Sequence, residues 1–127
     1  MIENAVDIRT SDGTAGGLFY QPESNGSWPG VFFLTDIGGI RASQRSMAAR
    51  ICSEGYAVVM PNLFYRTGRT PLFEPGVKVC DEKFMKRMGE LSSPLTPEAV
   101  ERDARSYVDF LAQHYAVKKG PFGAVSL

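Results

Sequence analysis

A single histidine, His114, and two cysteines, Cys52 and Cys80, are all that this chain offers as imidazole or thiolate ligands. A structural zinc site takes four such groups, so no ligand set for one is present. Two well-separated cysteines also fall short of a disulfide framework, and a reducing cytoplasm is the expected setting. The apolar runs are too short to cross a bilayer, and no cationic segment followed by an apolar stretch opens the chain as a secretory signal does. Net charge is missing too, with 14 basic residues balancing 14 acidic ones. That balance gives no electrostatic ground for a nucleic-acid or anionic-membrane partner. Disorder is not expected, because 43% of residues are hydrophobic and 22% charged, the ordinary globular range. A length of 127 residues has room for one domain with its own core, and not for two.

What the chain does contain is a succession of short apolar runs divided by turn chemistry. Val6 to Thr10 alternates, Ser11-Asp12-Gly13-Thr14 supplies a turn, and Gly17 to Gln21 follows as a second strand. This pattern predicts an antiparallel hairpin at a sheet edge. After a polar loop, Val31-Phe32-Phe33-Leu34 is apolar at every position, as in a parallel strand covered on both faces. Gly38-Gly39 comes next, then a helix with Met47, Ala48, Ile51 and Cys52 on one face and Gly55 as its stop. Tyr56 to Met60 is a second fully apolar strand, closed by Pro61-Asn62. Together these segments make one strand–helix–strand unit of the length a right-handed crossover needs.

A loop rich in glycine and proline runs from Arg66 to Gly76, and Asp81 to Glu90 reads as a short helix. Thr96-Pro97 then marks an N-cap followed by proline at the first helical position. Val100, Ala104, Tyr107, Val108, Leu111 and Tyr115 are expected on one face of that helix. Lys118-Lys119-Gly120 ends it. The last five residues, Gly123 to Leu127, have the composition of a buried strand, although termini are ordinarily polar and loosely held. The expected fold class is α/β: one domain over 1–127, three layers, an antiparallel N-terminal edge on a mostly parallel sheet. Ligands of such sheets sit beyond the carboxyl ends of the strands. Asp36 to Gly39 and Pro61 to Tyr65 are two such ends, and a third falls just past Leu127.

Three stretches carry a family resemblance: PGVFFLTDIGGIR (Pro29 to Arg41), SEGYAVVMPNLFYRTG (Ser53 to Gly68) and KGPFGAVSL (Lys119 to Leu127). The first is an apolar strand ending in an acidic residue, a hydrophobic residue and a glycine turn. The second fits G-Y-x-x-x-x-P-N/D-L-F/Y and is the most specific. Together they resemble the dienelactone hydrolase family of the α/β-hydrolase fold. The resemblance runs over nearly the whole chain and is weakest between Arg69 and Ser93. In that family, the strand after the long helix runs into a nucleophile elbow of the type G-x-C-x-G-G, and the aspartate and histidine come later. The resemblance therefore implies the N-terminal half of such a hydrolase, ending one residue before its nucleophile, and a chain inactive by itself. Ser126 stands where the family commonly has glycine.

The resemblance assigns Asp36 to the acidic position beside the nucleophile, where the best-known members have glutamate. Read without it, Asp36 is a strand terminator or a helix N-cap. Ile37 takes the role of a backbone oxyanion donor, with Gly38-Gly39 allowing the tight turn. Tyr65 and Arg66 follow a strand end and are candidates for the substrate cleft, with a solvated arginine as the equal alternative. Lys83, Lys86 and Arg87 lie where the family places a cation for a substrate carboxylate, and they are equally the wet face of a short helix. Ser126 lies inside a strand and completes no G-x-S-x-G elbow. His114 reads as a surface residue, Cys52 as a core residue and Cys80 as incidental.

The implied activity is hydrolysis of a small ester or lactone through a covalent acyl-enzyme, with no cofactor. A non-catalytic fragment, or a module that pairs through its terminal strand with a second copy or a complementary chain, is the rival reading. A nucleotide-binding domain ranks lower, because no G-x-G-x-x-G follows a strand.

Overall fold

In the computed structural model, which describes residues 1–126, the Ser11–Thr14 turn folds the first two segments back on each other. Strands β1 (Ile2–Thr10) and β2 (Gly13–Gln21) pair antiparallel from Ile2 opposite Gln21 to Thr10 opposite Gly13. Both are longer than the apolar alternation suggested. The added residues of β1 are mostly exposed, so polar side chains are tolerated there.

Strands β3 (Gly30–Leu34), β4 (Ala57–Pro61) and β5 (Gly123–Ser126) complete a sheet of order β1-β2-β4-β3-β5. Strand β3 runs parallel to both β4 and β5, and β2 meets β4 antiparallel. The fully apolar runs thus lie centrally, as burial on two faces requires. Leu127 lies outside the described residues, so the expected last strand is described only to Ser126.

One layer of helix covers each face. Helix α1 (Ala42–Ser53) lays Ala48 and Cys52 on Tyr20, Val31, Phe33, Val58 and Met60. It ends as expected, with Gly55 at φ 99° and its N–H donating to the Cys52 carbonyl at 2.9 Å. Helix α3 (Pro97–Gln113) sets Tyr107 and Leu111 against Ile8, Ala15, Phe19, Ala57 and Val59 on the opposite face. Each large apolar side chain buried this way contributes about 1.5–3 kcal/mol. Thr96 caps α3, its hydroxyl accepting from the Ala99 N–H at 3.1 Å.

The buried line of α3 is a correction. It runs Ala99, Asp103, Tyr107, Leu111, whereas Val100 and Val108 are 49% and 43% exposed, and Tyr115 is also exposed. Counting apolar side chains selects the neighbouring line, because Asp103 counts against the true one. Helix α2 (Glu82–Ser92) lies apart from both layers. Its Leu91 joins Phe64 and Leu72 in a satellite core, against which Ile37, Leu63, Phe73 and Leu95 pack.

Among the described residues β5 pairs on one side only, with β3, and its outer edge offers unpaired N–H and C=O groups. An apolar edge without proline or charge recruits another strand. The 127-residue chain is therefore expected to self-associate through β5. Sedimentation checks this: a clean monomer at high concentration, with β5 ordered, would rule the association out.

Candidate active site

The turn after β3 is built by five short-range hydrogen bonds. The Asp36 carboxylate accepts from the Gly38 N–H at 3.0 Å, and the Asp36 carbonyl accepts from the Gly39 N–H at 3.0 Å. Gly39 adopts φ 72°, a left-handed conformation that favours glycine. Arg41 closes the turn. Its Nη1 donates to Asp36 Oδ1 at 2.6 Å and to the Gly39 carbonyl at 2.9 Å, and its Nη2 donates to Asp36 Oδ2 at 2.9 Å. The guanidinium, helped by the Gly38 N–H, holds the Asp36 carboxyl below the usual carboxylate range against a partial desolvation penalty. With side chains 42% and 40% exposed, this pair adds little stability. Its effect is geometric.

Among the described residues, no hydrogen bond engages the Ile37 N–H. The Ile37 side chain packs on the satellite core, which anchors the turn from below. Thr35, one residue earlier, keeps a buried hydroxyl without a partner among the described residues. Strand β5 arrives beside this turn, with Ser126 level with Leu34.

At the second strand end, Asn62 and Tyr65 line a groove together with Ile40 and Arg41. Asn62 shapes this strand end, its Nδ2 donating to the Gly68 carbonyl at 2.9 Å and its Oδ1 accepting from the Phe64 N–H at 3.0 Å. Tyr65 and Arg66, expected to face substrate, join a network against α3 and the hairpin turn. Arg66 donates to Asp103 Oδ2 at 2.7 Å, to Asp103 Oδ1 at 2.9 Å and to Asp12 Oδ2 at 2.6 Å. The Tyr65 hydroxyl donates to Asp103 Oδ1 at 2.8 Å and lies 2.7 Å from the Thr10 hydroxyl, while its ring lies under the Arg66 guanidinium. Arg102 also donates to Asp12, at 2.9 Å. The guanidinium of Arg66 is thus occupied by protein carboxylates. Asp103 above all raises its pKa, and burial raises that of Tyr65.

Lys83, Lys86 and Arg87 line a groove of about 650 Å³ with Leu72, Phe73 and Val77. Arg87 is engaged there, its Nε donating to the Leu72 carbonyl at 2.8 Å. Leu72 reaches the Asp36–Gly39 turn as well: a Cβ on Gly39 would lie 2.5 Å from Leu72 Cδ1. The groove and the turn therefore share one side chain.

The remaining chemically versatile residues are dispersed. Cys52 is buried between α1 and the sheet, where desolvation raises its thiol pKa, and Cys80 is exposed ahead of α2. His114 is half-buried rather than on the surface. Its ring stacks on Phe19 at 4.0 Å and on Tyr115 at 4.8 Å, and its Nδ1 accepts from the Ala116 N–H at 3.1 Å. The sheet separates His114 from Cys52, so they form no nucleophile–base pair. Among the described residues there is no cluster of three or more His, Cys, Asp or Glu side chains placed to hold a metal ion, and no helix is long and apolar enough to cross a membrane.

Burial lowers the His114 pKa from its ordinary 6.5. Folding thus favours the neutral ring, and this contribution is complete above the unfolded-state pKa. It is lost as pH falls through that value towards the lower folded one. A His114→Phe variant is expected to lose less melting temperature than the parent between pH 7 and pH 5. Equal losses would assign the acid sensitivity to other groups.

This mixed sheet, with helices on both faces and a glycine turn after its central strand, has the α/β-hydrolase architecture of its structural neighbours. A candidate dienelactone hydrolase of Klebsiella pneumoniae superposes with a TM-score of 0.80 at 19% identity, over 99% of this chain and 49% of that one. A dienelactone hydrolase-like promiscuous phosphotriesterase from metagenomic libraries superposes at 0.73 with 18% identity, over 99% and 48%. The family model for the dienelactone hydrolase family matches residues 15–126. The chain belongs to the dienelactone hydrolase family. A carboxymethylenebutenolidase of Rhodococcus opacus is 32% identical over 84 residues, which are 66% of this chain and 31% of that protein. The chain thus spans about half the length of these two solved structures, and its match to the Rhodococcus protein covers less than a third of that protein.

Reading the sequence missed Arg41, Asp12 and Asp103 as parts of this region. Arg41 carried one usable signal, its place five residues after Asp36 across two glycines. The others sit 54 and 37 residues from Arg66, and no local pattern connects them.

Proposed function

We propose that this chain carries the oxyanion side of an ester or lactone hydrolase that works through a covalent acyl-enzyme. The observation that carries the proposal is the Ile37 N–H, presented by a braced turn at the carboxyl end of β3 and unengaged among the described residues. In this fold such an N–H, with a second from the residue after the nucleophile, forms the oxyanion hole. The nucleophile attacks the carbonyl carbon, a histidine moves the proton, and the two donors take up the charge that develops on oxygen. Nucleophile, histidine and aspartate are assigned to the part of the family fold that follows β5.

Asp36 stays ionised at neutral pH, so in this reading it acts as an acceptor that orients the resting nucleophile and its partners. Lys86, with Lys83, is assigned to a substrate carboxylate at the α2 groove. Arg87, Tyr65 and Arg66 are assigned to support, since each already holds protein acceptors. The substrate class is a small carboxylated lactone such as a dienelactone, supported by family membership and by the Rhodococcus relative. No cofactor takes part.

An ester hydrolysis assay on this chain and on the polypeptide at its full coded length tests the reading, with a thiol-blocking reagent added to each. The 127-residue chain is expected near background. Enzymes stripped of triad members keep about 10³–10⁴ over water from a complete oxyanion hole and binding, and half a hole falls below that. At full coded length the protein should hydrolyse small activated esters and be stopped by the reagent. Equal, reagent-insensitive activity in both would overturn the proposal.

A further inference from the structure

We infer that Arg41 is the positioning residue of the oxyanion turn, and that Gly38 is glycine in order to admit its guanidinium. The inference rests on the function proposed above for the Ile37 N–H. It begins with what one planar group holds together. A single guanidinium reaches both carboxylate oxygens of Asp36, where the turn begins, and the carbonyl of Gly39, where it ends. Ile37 lies between those two fixed points. With its ends tied, its N–H has little freedom to swing away from the strand end. A lysine in the same place would offer a point charge and could not reproduce the fork.

The second observation concerns Gly38 and is independent of the hydrogen bonds. Gly39 is left-handed and needs glycine on conformational grounds, but Gly38 is not among the residues with positive φ. Space explains it instead. A Cβ on Gly38 would lie 2.5 Å from Arg41 Nη1 and 2.8 Å from Arg41 Cζ. The guanidinium therefore lies in the volume that a side chain at 38 would fill. Gly38 and Arg41 form a matched pair, and changing either one should undo the same clamp.

The pair predicts a pattern that an ordinary surface ion pair does not. Gly38→Ala should displace the guanidinium and copy the effects of Arg41→Gln, and the double variant should be no worse than either alone. Arg41→Lys should recover only part of the loss. Two readouts are needed. In the 127-residue chain, exchange of the amide protons at positions 38 and 39, corrected for residue type and followed by nuclear magnetic resonance, should speed up roughly tenfold in each single variant. At full coded length, kcat on an activated ester should fall roughly 10- to 100-fold, as displaced donors and misaligned groups do elsewhere, with KM changed by less than about threefold.

Each alternative has its own outcome. Unchanged amide exchange in Arg41→Gln would overturn the clamp. Additive losses in the double variant would break the pairing of Gly38 with Arg41. A raised KM with unchanged kcat would make Arg41 a substrate contact and overturn the positioning role. If the parent at full coded length hydrolyses no ester, the proposed function fails, and the amide exchange still decides whether Arg41 holds the turn.

Discussion

Replacing Arg66 with alanine is expected to destabilise the chain by about 3–5 kcal/mol, the usual loss when a buried ion pair is stripped of one partner. Asp103 is the reason. Its side chain is only 5% exposed, and Arg66, itself 14% exposed, supplies two of its hydrogen bonds. Without the guanidinium, a carboxylate stays beneath α3 with the Tyr65 hydroxyl as its remaining donor. Asp12 adds less, because it is partly exposed and Arg102 still reaches it. The network ties the hairpin turn, the β4 exit and α3 together, so the loss should appear as lower cooperative stability and not as local fraying. Replacing Arg66 and Asp103 together by apolar residues of similar volume should recover most of the loss, since the desolvation of both charges disappears with them. Urea unfolding of the three forms decides it. A loss below about 1 kcal/mol in Arg66→Ala would mean that the pair is screened like a surface bridge.

The same network marks where the sequence stopped being readable. Strands β3 and β4 were legible because a run such as Val31 to Leu34 can satisfy its surroundings only when covered on both faces, which leaves few places for it in an α/β sheet. The stop at Gly55 and the cap at Thr96 were legible because the contacts that define them lie within four residues. Tyr65 and Arg66 were not, since their partners come from the hairpin turn and α3, and a strand end alone does not say which way a long side chain turns. Asp103 misled twice: it hid the buried line of α3 and concealed the partner of Arg66. His114 reads as a helix-end polar group until Phe19 and Phe110 are brought alongside it. The turn at Asp36–Gly39 was half legible. Two adjacent glycines announce a bend, but the separate reasons for each appear only once Arg41 and Leu72 are in place.

Gly39 is where the second large effect is expected. Gly39→Ala should cost about 1–2 kcal/mol for holding a side-chain-bearing residue at φ 72°. It must also displace Leu72, whose Cδ1 would lie 2.5 Å from the new Cβ inside the packed satellite core. Overpacking of this kind costs about 1–3 kcal/mol. Leu72 is buried in one cluster with Phe64 and Leu91, so it should relieve only part of the clash on its groove side, and the turn should move as well. Movement there displaces the Ile37 N–H, so kcat on an activated ester at full coded length should fall by about 10² or more, on the scale of losing one oxyanion donor. The two causes separate with two further variants. Gly39→Asn tolerates the left-handed conformation but keeps the clash, so it should recover only the backbone part of the stability loss. Gly39→Ala combined with Leu72→Ala removes the clash but keeps the strain, and its loss should be smaller than the two single losses added, by about 1 kcal/mol or more. Strict additivity in that pair would mean that Leu72 does not support the turn, and an unchanged kcat in Gly39→Ala would mean that the Ile37 N–H is not where the oxyanion forms.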